Sequence, residues 1–589
     1  MSTVDWVVLF GTLAFFVGYG VWRGRGERNL SDFLLAGRSM PWGMVALSVM
    51  ATQASAVTFL ATPGQGFTDG LRFVQFYFGL PLAMIVICVL AIPIYHRLKV
   101  FTAYEYLEQR FDGKTRSLAA ALFLIQRGLA AGITIYAPSL VLSVVLGWEL
   151  RTTCALIGGL VVIYTVTGGS KAVSHTQALQ FSIILGTMTV AFVLIARALP
   201  SGVSLGDAAS LAGVLGRLNA LETRFDPNDR YNLWSGLLGG FFLQLSYFGT
   251  DQSQVGRYLT GASVTQSRLG LLFNGLMKIP MQFAILSLGV LIFAFYLFAP
   301  PPLHFDPVGR ARIANGPTAP AYEALEVRHR ESWQARRASA EAVLAARHAG
   351  DASAVARSQV ELRDRQAALT EVQKDKVALI KSHDPRAATS DTNYVFLTFV
   401  LANLPVGLIG LVFAAVFAAS MNSTAAELSA LTSTTVVDVL KRITGRARRT
   451  GAAVVEGITS SGSAATGALE AGRRDVWTAR AVTVGWALFA VGFADAASRL
   501  GSLIEAVNIL GSLFYGTILG IFMTAFLLRS VRGTAVFVAA LIAEAMILAC
   551  FRFTAISFLW YNLIGCVAVM IVAWLIQRLL DARAPRATA

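Results

Sequence analysis

The chain has 589 residues, of which 55% are hydrophobic and only 14% are charged. Soluble domains carry about a quarter charged residues, so this composition excludes an ordinary soluble protein and indicates a polytopic membrane protein. The net charge of +15 does not indicate a nucleic-acid-binding protein, because the basic residues lie mostly in short loops between apolar stretches. The four cysteines stand singly inside apolar stretches, which argues against a disulfide framework or a cysteine metal site.

Apolar stretches of about 20 residues, the length that crosses a bilayer, recur along the chain. The first stretch follows a short N-terminus without a basic region or cleavage site, so we interpret it as a retained span. The sequence predicts about thirteen spans, near Trp6–Val21, Trp42–Ala61, Phe73–Tyr95, Leu118–Leu146, Thr153–Thr167, Ala178–Ala198, Leu233–Gly249, Leu269–Leu297, Leu408–Leu440, Trp477–Phe493, Leu503–Leu528, Ala535–Phe551 and Ile556–Leu575.

The basic residues of the short loops follow odd-numbered spans. Because such loops stay in the cytoplasm, this pattern places the N-terminus outside and the tail Arg583–Ala589 inside, in the cell (inner) membrane. The residues that carry the pattern are Arg23, Arg25, Arg28, Arg38, Arg97, Lys99, Arg110, Lys114, Arg116, Arg257, Arg268, Lys441, Arg442, Arg446, Arg448, Arg449, Arg473, Arg474, Arg529 and Arg532.

The stretch Ala46–Phe67 begins as an apolar helix and then fills with small and hydroxylated residues, before reaching Pro63-Gly64-Gln65-Gly66. We expect no helix to continue through that last motif. Irregular backbone at membrane depth is tolerated only where it is buried or lines a cavity, and its free carbonyls can bind a cation. The sequence therefore predicts a binding site here, paired with a loosened stretch near residues 415–425. A small-residue seam for close helix packing is the alternative.

Two segments interrupt the membrane pattern. Pro300–Asp391 is long, charged and rich in Ala, Arg and Glu, and it predicts an extracytoplasmic hairpin of two helices, Pro320–Arg347 and Ala352–Ser382. A solvated hairpin without a role in transport and a hairpin that acts as a lid or docks an extracytoplasmic partner both remain open. Gly451–Gly472 is rich in Gly, Ala, Ser and Thr and predicts a flexible cytoplasmic loop.

Motifs of membrane enzymes and nucleotide-driven pumps are missing from the sequence. It contains no GxxxxGK[ST], GxSxG or HExxH pattern. We therefore expect neither a nucleotide-driven pump nor an enzyme.

Several motifs in the membrane context resemble the sodium:solute symporter family. They are Leu35-Ala36-Gly37-Arg38, Ser55-Ala56 with Phe59 and Pro63-Gly64, Thr102–Leu107, Gly168-Gly169 with Ala172-Val173, Asp251-Gln252 leading to Arg257-Tyr258-Leu259, and Met421–Asp438. The resemblance covers the chain except Pro300–Asp391 and Gly451–Gly472. It implies an all-α, LeuT-like fold in which spans two to six and seven to eleven form two inverted five-helix repeats around a midplane site. With the hairpin inserted and two peripheral helices added, the expected units are 1–41, 42–299, 300–391, 392–529 and 530–589.

The resemblance also implies where the coupling ion, Na⁺, binds. It places sodium between the broken second span and the ninth, at the carbonyls of Ala51, Ala54 and Ala419 and the side chains of Asn422 and Ser423. Small residues let carbonyls approach a cation, and an amide oxygen is an adequate acceptor. Two positions depart from the family pattern. Asn422 stands where a hydroxyl is usual, and Gln177 stands where an aspartate is common near the ion's release path.

The resemblance also implies solute-binding residues at Ser55, Thr58, Arg127 and Asn508, with an interhelical hydrogen bond as the alternative for Asn508. Two further candidates are Gln53, one residue from Ala54, and Tyr77, which stands where the family's sugar symporter has a glutamate. Phe76 is assigned to an outer gate, and an ordinary aromatic cluster is the alternative. Arg127 is the most informative of these residues, because a charge within a span normally faces a cavity or an acidic partner. Its guanidinium suits a carboxylate, while an internal salt bridge with Glu505 or Glu427 is the alternative. Lys278 and Asp251 are interpreted as interfacial or gating residues.

These observations predict a sodium-coupled symporter of a small organic solute, with a carboxylate preferred, working by alternating access in the lipid bilayer. A proton-coupled or uncoupled transporter of the same fold is an alternative, motivated by Gln177 and Asn422. A membrane sensor or scaffold that binds solute without net transport is the other.

Overall fold

The structure is a computed structural model, and it describes residues 1–23, 35–384, 389–443, 463–497 and 502–583. Over these ranges the protein is built from helices, and its extended pairing is limited to one isolated bridge between Met40 and Gly261. Several predicted features fall outside the described residues, namely the loop residues Arg25, Arg28, Arg446, Arg448 and Arg449, residues 451–462 of the predicted flexible loop, and the tail after residue 583.

The first half of the chain forms the first set of membrane helices and their short connecting helices. They are α1 (Thr3–Arg23), α2 (Trp42–Gln53), α3 (Ala56–Asp69), α4 (Leu80–Val89), α5 (Ala91–Leu98), α6 (Tyr104–Arg110), α7 (Gly113–Leu146), α8 (Leu150–Arg197), α9 (Leu205–Val214), α10 (Gly240–Gly249), α11 (Gln252–Tyr258) and α12 (Val264–Phe298), with short 3₁₀ turns at Ala36–Arg38 and Gly70–Tyr77 and a π turn at Ser235–Gly239.

The second half begins with the extramembrane insertion and returns to membrane helices. Its elements are α13 (Pro307–Ala314), α14 (Ala319–His348), α15 (Ala352–His383), α16 (Thr392–Asn403), α17 (Leu408–Thr434), α18 (Lys441–Ile443), α19 (Ser463–Ala497), α20 (Leu503–Leu527), α21 (Gly533–Phe553) and α22 (Leu559–Arg583), with a π turn at Thr435–Leu440.

The number of spans is not confirmed at thirteen. Within the described ranges, ten helical segments are long and apolar enough to cross a membrane. The two spans predicted at Thr153–Thr167 and Ala178–Ala198 lie in a single long helix, α8.

The predicted interruption of the second span exists, but it lies earlier than the sequence indicates. Helix α2 ends at Gln53 and α3 begins at Ala56, so the break is at Ala54 and Ser55. The expectation that no helix continues through Pro63-Gly64-Gln65-Gly66 is wrong, because α3 runs through all four residues. The glycines serve contact instead: a Cβ on Gly64 would lie 1.9 Å from the Thr392 carbonyl oxygen, and one on Gly66 would lie 2.3 Å from the Leu286 oxygen.

The second interruption is also displaced. The stretch near residues 415–425, predicted to be loosened, lies inside the regular helix α17. The chain breaks instead between α10 and α11, where Asp251 takes extended backbone and its carboxylate caps α11 by accepting from the Ser253 amide.

The helical hairpin is confirmed as α14 and α15, which pack against each other and join through a turn at Gly350 (φ +72°). Asp351 accepts hydrogen bonds from two amides of the first turn of α15, which explains why that helix begins there. The predicted loop Gly451–Gly472 is wrong over its last ten residues, because α19 begins at Ser463.

Candidate functional site

The break between α2 and α3 brings the carboxyl end of one helix next to the amino end of another inside the protein. The last carbonyls of α2 have no helical partner, and Ala51 and Ala54 are buried beside them. Thr58, one turn into α3, donates its hydroxyl to the Gln53 carbonyl at 3.2 Å and ties the two half-helices together. The carbonyls at the end of α2 are therefore candidate ligands for a cation.

Helix α17 brings side-chain oxygens to the same region. Asn422 is fully buried, and among the described residues neither its side-chain oxygen nor its nitrogen has a hydrogen-bond partner. A buried amide without partners costs free energy, and a bound cation would satisfy the oxygen. Ser423 lines the cavity beside Thr52 and Ser55, and its hydroxyl donates to the Ala419 carbonyl at 3.1 Å. The donor set therefore fits sodium, which prefers oxygen ligands.

Gln177 of α8 joins the two halves of this region. Its amide nitrogen lies 3.4 Å from the Thr52 hydroxyl and donates to the Asn422 carbonyl at 3.3 Å, while its amide oxygen accepts from Ser48 at 2.6 Å. The amide thus connects α2 with α17 without contributing charge. The release role predicted for Gln177 stays a prediction, but its place against both ion-site helices agrees with that role.

A cavity of about 100 Å³ lies next to the break. Its walls come from α2, α3, α7, α10, α12, α17 and α20 and from the 3₁₀ turn before α4. All six predicted solute residues line it, together with the predicted gate residue Phe76, and the lining residues are Thr52, Gln53, Ser55, Val57, Thr58, Phe76, Tyr77, Arg127, Thr134, Leu243, Gln244, Tyr247, Lys278, Ser423, Glu427, Ile504, Val507, Asn508 and Tyr515.

Arg127 lies at the wall of this cavity, but its hydrogen-bonding groups are largely engaged. One terminal nitrogen donates to Glu427 at 3.1 Å, and the other contacts both Asp251 and the Tyr515 hydroxyl. The guanidinium is 3% exposed and lies between two carboxylates, so the cluster has a net negative charge. Of the two predicted internal partners, Glu427 is present, whereas Glu505 pairs with Arg230 at 2.6 Å.

The position of Asp251 in the sequence suggests an interfacial residue, but the structure buries it inside this cluster, where it is 1% exposed. Its carboxylate accepts from Arg127, from the Tyr515 hydroxyl at 2.8 Å and from the Ser253 amide and hydroxyl. Four donors satisfy the charge that burial would otherwise make costly.

Lys278 is the residue that the sequence analysis placed least well. It is 2% exposed, lines the cavity, and has its ammonium 5.4 Å from the centre of the Tyr77 ring. No carboxylate of the described ranges lies within 4 Å of that ammonium, in contrast to Arg127. Asn274 stands one helical turn earlier and accepts from the Gln53 amide at 2.9 Å, so this face of α12 presents polar groups to the break. A buried cation facing a cavity without a counter-charge fits an anionic ligand.

Aromatic rings border the cavity on the side of the 3₁₀ turn Gly70–Tyr77. The rings of Phe76 and Tyr77 pack edge to face with their centres 4.8 Å apart. The Phe73 ring stacks on Phe76 with a centre-to-centre distance of 5.5 Å and packs edge to face on Tyr231 at 5.1 Å. Two ion pairs lie near these rings: Arg72 with Asp229 at 2.5 Å, and Arg230 with Glu505 at 2.6 Å. Asn508 lines the cavity from α20, and its buried amide nitrogen has no partner among the described residues.

Sequence reasoning missed Lys278, Glu427, Tyr247 and Tyr515 as cavity residues. A signal was available for the first two, because a lysine and a glutamate inside apolar spans are functional candidates by their cost alone. The two tyrosines carried no such signal, since aromatic residues are common on any membrane helix.

Comparisons with known proteins bear on the family and the fold. Residues 33–315 match the model of the sodium:solute symporter family, which confirms the resemblance indicated by the motifs. The Homo sapiens sodium/iodide cotransporter is 33% identical over 284 residues, covering 47% of this chain and 43% of that protein. The Homo sapiens sodium-coupled monocarboxylate transporter 1 is 34% identical over 275 residues (46% and 44%), and the Oryctolagus cuniculus sodium-dependent multivitamin transporter is 33% identical over 302 residues (50% and 46%).

The aligned part of the chain thus spans less than half the length of these relatives. The fold is matched over almost the whole chain. A solved structure described as the substrate-bound outward-open state of a Na⁺-coupled sialic acid symporter aligns with a TM-score of 0.72 over 98% of both chains, at 20% sequence identity. The predicted LeuT-like helical fold is therefore confirmed.

Proposed function

We propose, for a chain whose residues 33–315 carry the sequence pattern of the sodium:solute symporter family, that it is a sodium-coupled symporter of a small organic anion. The observation that carries the proposal is Lys278, a buried ammonium that faces the cavity with no carboxylate of the described residues within 4 Å. Two of the relatives are named for iodide and for monocarboxylates, both singly charged anions.

The anion is assigned to Lys278 rather than to Arg127. Arg127 already donates to Glu427 and Asp251, so a solute carboxylate there would meet two negative charges. At Lys278 the solute would complete an ion pair, with the Tyr77 ring beneath the ammonium. Gln53, Ser55, Thr58 and Asn508 then supply hydrogen bonds around the rest of a small solute.

Sodium is the cotransported substrate, assigned to the carbonyls of Ala51, Ala54 and Ala419 and the side chains of Asn422 and Ser423. The orphaned Asn422 oxygen supports this assignment. In the cycle, sodium binding favours the conformation that admits the solute, and each ligand tightens the other's binding by the same factor. Phe76 and Tyr77 then cover the cavity from outside while the solute passes to the cytoplasmic side.

The orientation follows from the charges of the loops. We assign the N-terminus to the outside, the C-terminus to the cytoplasm and the protein to the cell (inner) membrane. The hairpin α14–α15 then lies outside the cell. Its exposed side carries paired charges such as Arg328–Asp375 at 3.0 Å and Arg337–Glu341 at 2.8 Å, which are typical of a solvated face. Docking of an extracytoplasmic partner to residues 300–391 stays a prediction.

Uptake into proteoliposomes with an inward sodium gradient tests the function. We expect accumulation of small organic anions such as acetate or lactate, and none of glucose or proline. Lys278→Gln should weaken anion binding by roughly 30-fold or more, because losing one partner of a buried charge pair costs about 2–5 kcal/mol. Lys278→Arg should retain part of the uptake, and Lys114→Gln at the exposed start of α7 should retain all of it. Accumulation of a neutral solute in place of anions would overturn the proposal.

A proton-coupled symporter of the same fold is the second candidate. The observation that favours it is Glu427, whose second carboxylate oxygen is buried at the cavity wall without a partner among the described residues. Uptake driven by a pH gradient alone, lost in Glu427→Gln and unaffected by removing sodium, would select this candidate. Uptake that requires sodium in both proteins would reject it.

A further inference from the structure

Asp391 lies where the hairpin returns to the membrane helices, and three groups converge on it. The Lys376 ammonium of α15 lies 3.2 Å from one carboxylate oxygen, and that oxygen also accepts from the Phe305 amide at 2.8 Å and contacts the His304 ring at 3.0 Å. Burial alone would raise the pKa of Asp391, but these groups, Lys376 foremost, hold it well below its ordinary value. Lys376 itself is 4% exposed. Lys376 and Asp391 therefore form a buried ion pair rather than a surface contact.

Asp391 is also the residue from which α16 begins, and the first turn of α16 touches two walls of the cavity. The carbonyl of Thr392 packs on Gly64 of α3, where no side chain would fit. The Asn393 side chain accepts from the amide of Leu503, the first residue of α20, at 3.2 Å. Helices α3 and α20 supply Thr58 and Asn508 to the cavity, so the start of α16 connects two of the helices that line it.

The hairpin is held to the rest of the protein at its other contacts. Trp333 and Arg336 of α14 both donate to the Tyr296 carbonyl in the last turn of α12, at 3.1 and 2.9 Å. Those final carbonyls lack helical partners, which makes them good acceptors. Near the hairpin turn, His348 lies 3.4 Å from Asp207 of α9. The hairpin thus has a fixed base on α9 and α12 from which it can hold Asp391 in place.

We propose that the hairpin is a latch on the outer side of the transport site, and that Lys376 is its positioning residue. By fixing Asp391, Lys376 keeps the first turn of α16 seated between α3 and α20 and favours the state closed to the outside. The proposal rests on the chain cycling between open and closed states, but not on which solute or ion it transports.

Accessibility of the cavity from outside tests the latch. A cysteine is introduced as Val507→Cys in a Cys550→Ala background, and its labelling by a membrane-impermeant thiol reagent is timed in right-side-out vesicles without solute. We expect Lys376→Met to label about fivefold faster or more, at the lower end of ordinary coupling between sites. Lys376→Arg should restore slow labelling. Lys374→Met, two residues away on the exposed face where it pairs with Glu371, should label like the parent.

Equal labelling rates for Lys376→Met and Lys374→Met would overturn the latch. If Lys376→Met does not give folded protein, Asp391→Asn decides in its place, since it keeps the side chain's shape and removes only its charge. Faster labelling of that variant supports the latch, and an unchanged rate rejects it. Because labelling needs no transported solute, failure of the proposed function would appear separately, as absent uptake in an otherwise normally labelled parent.

Discussion

Replacing Arg127 with methionine gives the sharpest test of how charge is arranged around the cavity. In the native protein this guanidinium is the only cation within 4 Å of Asp251 and Glu427 among the described residues. Methionine fills much of the same volume without charge. The variant leaves two carboxylates buried, one with the Tyr515 and Ser253 donors and the other with Thr134 alone.

The size of the effect follows from burial. Both carboxylates are less than 9% exposed, and removing one partner of a buried ion pair costs about 3–5 kcal/mol. We therefore expect Arg127→Met to lower the free energy of unfolding by at least that amount. Neutralising the acids as well, in Arg127→Met with Asp251→Asn and Glu427→Gln, should recover most of it, because the loss comes from unpaired charge rather than from packing.

Thermal unfolding of the purified protein in detergent, followed by tryptophan fluorescence with and without sodium, measures the loss. Arg552→Met, at the exposed end of α21, serves as the control for removing an arginine. The reasoning fails if Arg127→Met unfolds with the native protein and loses only solute binding. That result would return the guanidinium to the carboxylate-binding role that the sequence favours.

Three further predictions follow from the site and its surroundings. Asn422→Ala should abolish the rise in melting temperature with sodium, measured by thermal-shift titration, and an unchanged sodium response would remove Asn422 from the ion site. Burial, with Asp438 nearby, raises the pKa of Glu105 to about 7. A raised carboxyl pKa gives stability that is present below the ordinary value of 4.5 and lost as pH rises through 7. The melting temperature should therefore fall between pH 5 and 8 in the native protein and stay flat in Glu105→Gln. Parallel pH profiles of the two proteins would contradict this. The pKa of Asp391 is lowered instead, so its stabilising pair with Lys376 is present above the ordinary carboxyl pKa of 3.8 and lost at lower pH. Protection of the α15 and α16 amides against hydrogen exchange, relative to the intrinsic exchange rate at each pH, should therefore fall on acidification below that value. A native protein with the same acid dependence of protection as Asp391→Asn would refute this.

The sequence was sufficient for features set by local composition. The small, hydroxylated residues after Met50 predicted a break in the second span, and the Ala- and Glu-rich helices around Gly350 predicted the hairpin. It misplaced the break because Pro63 and the glycines beside it look the same whether they end a helix or let another backbone approach. Only the carbonyls of Thr392 and Leu286, distant in sequence, distinguish the two cases.

The acidic partners of Arg127 could not be selected from the sequence for a related reason. Arg127 meets Asp251 and Glu427 across 124 and 300 residues of sequence, and no local pattern selects those two acids over Glu505. Lys278 was missed because its proposed role depends on the lack of a carboxylate near its ammonium among the described residues. The sequence gives no measure of that, since a lysine near the end of an apolar span can equally extend to the membrane surface.

The glycine contacts of α3 also restrict how the protein can move. A Cβ on Gly289 of α12 would lie 1.8 Å from the Pro63 carbonyl oxygen, and one on Gly66 would lie 2.3 Å from the Leu286 oxygen of the same helix. Helices this close cannot slide past each other without a clash, so Ala56–Asp69 and Val264–Phe298 must travel together as one rigid body. Bending between the two half-helices is then confined to Ala54 and Ser55, so any such bend also moves the carbonyls of Ala51 and Ala54 that we propose as sodium ligands.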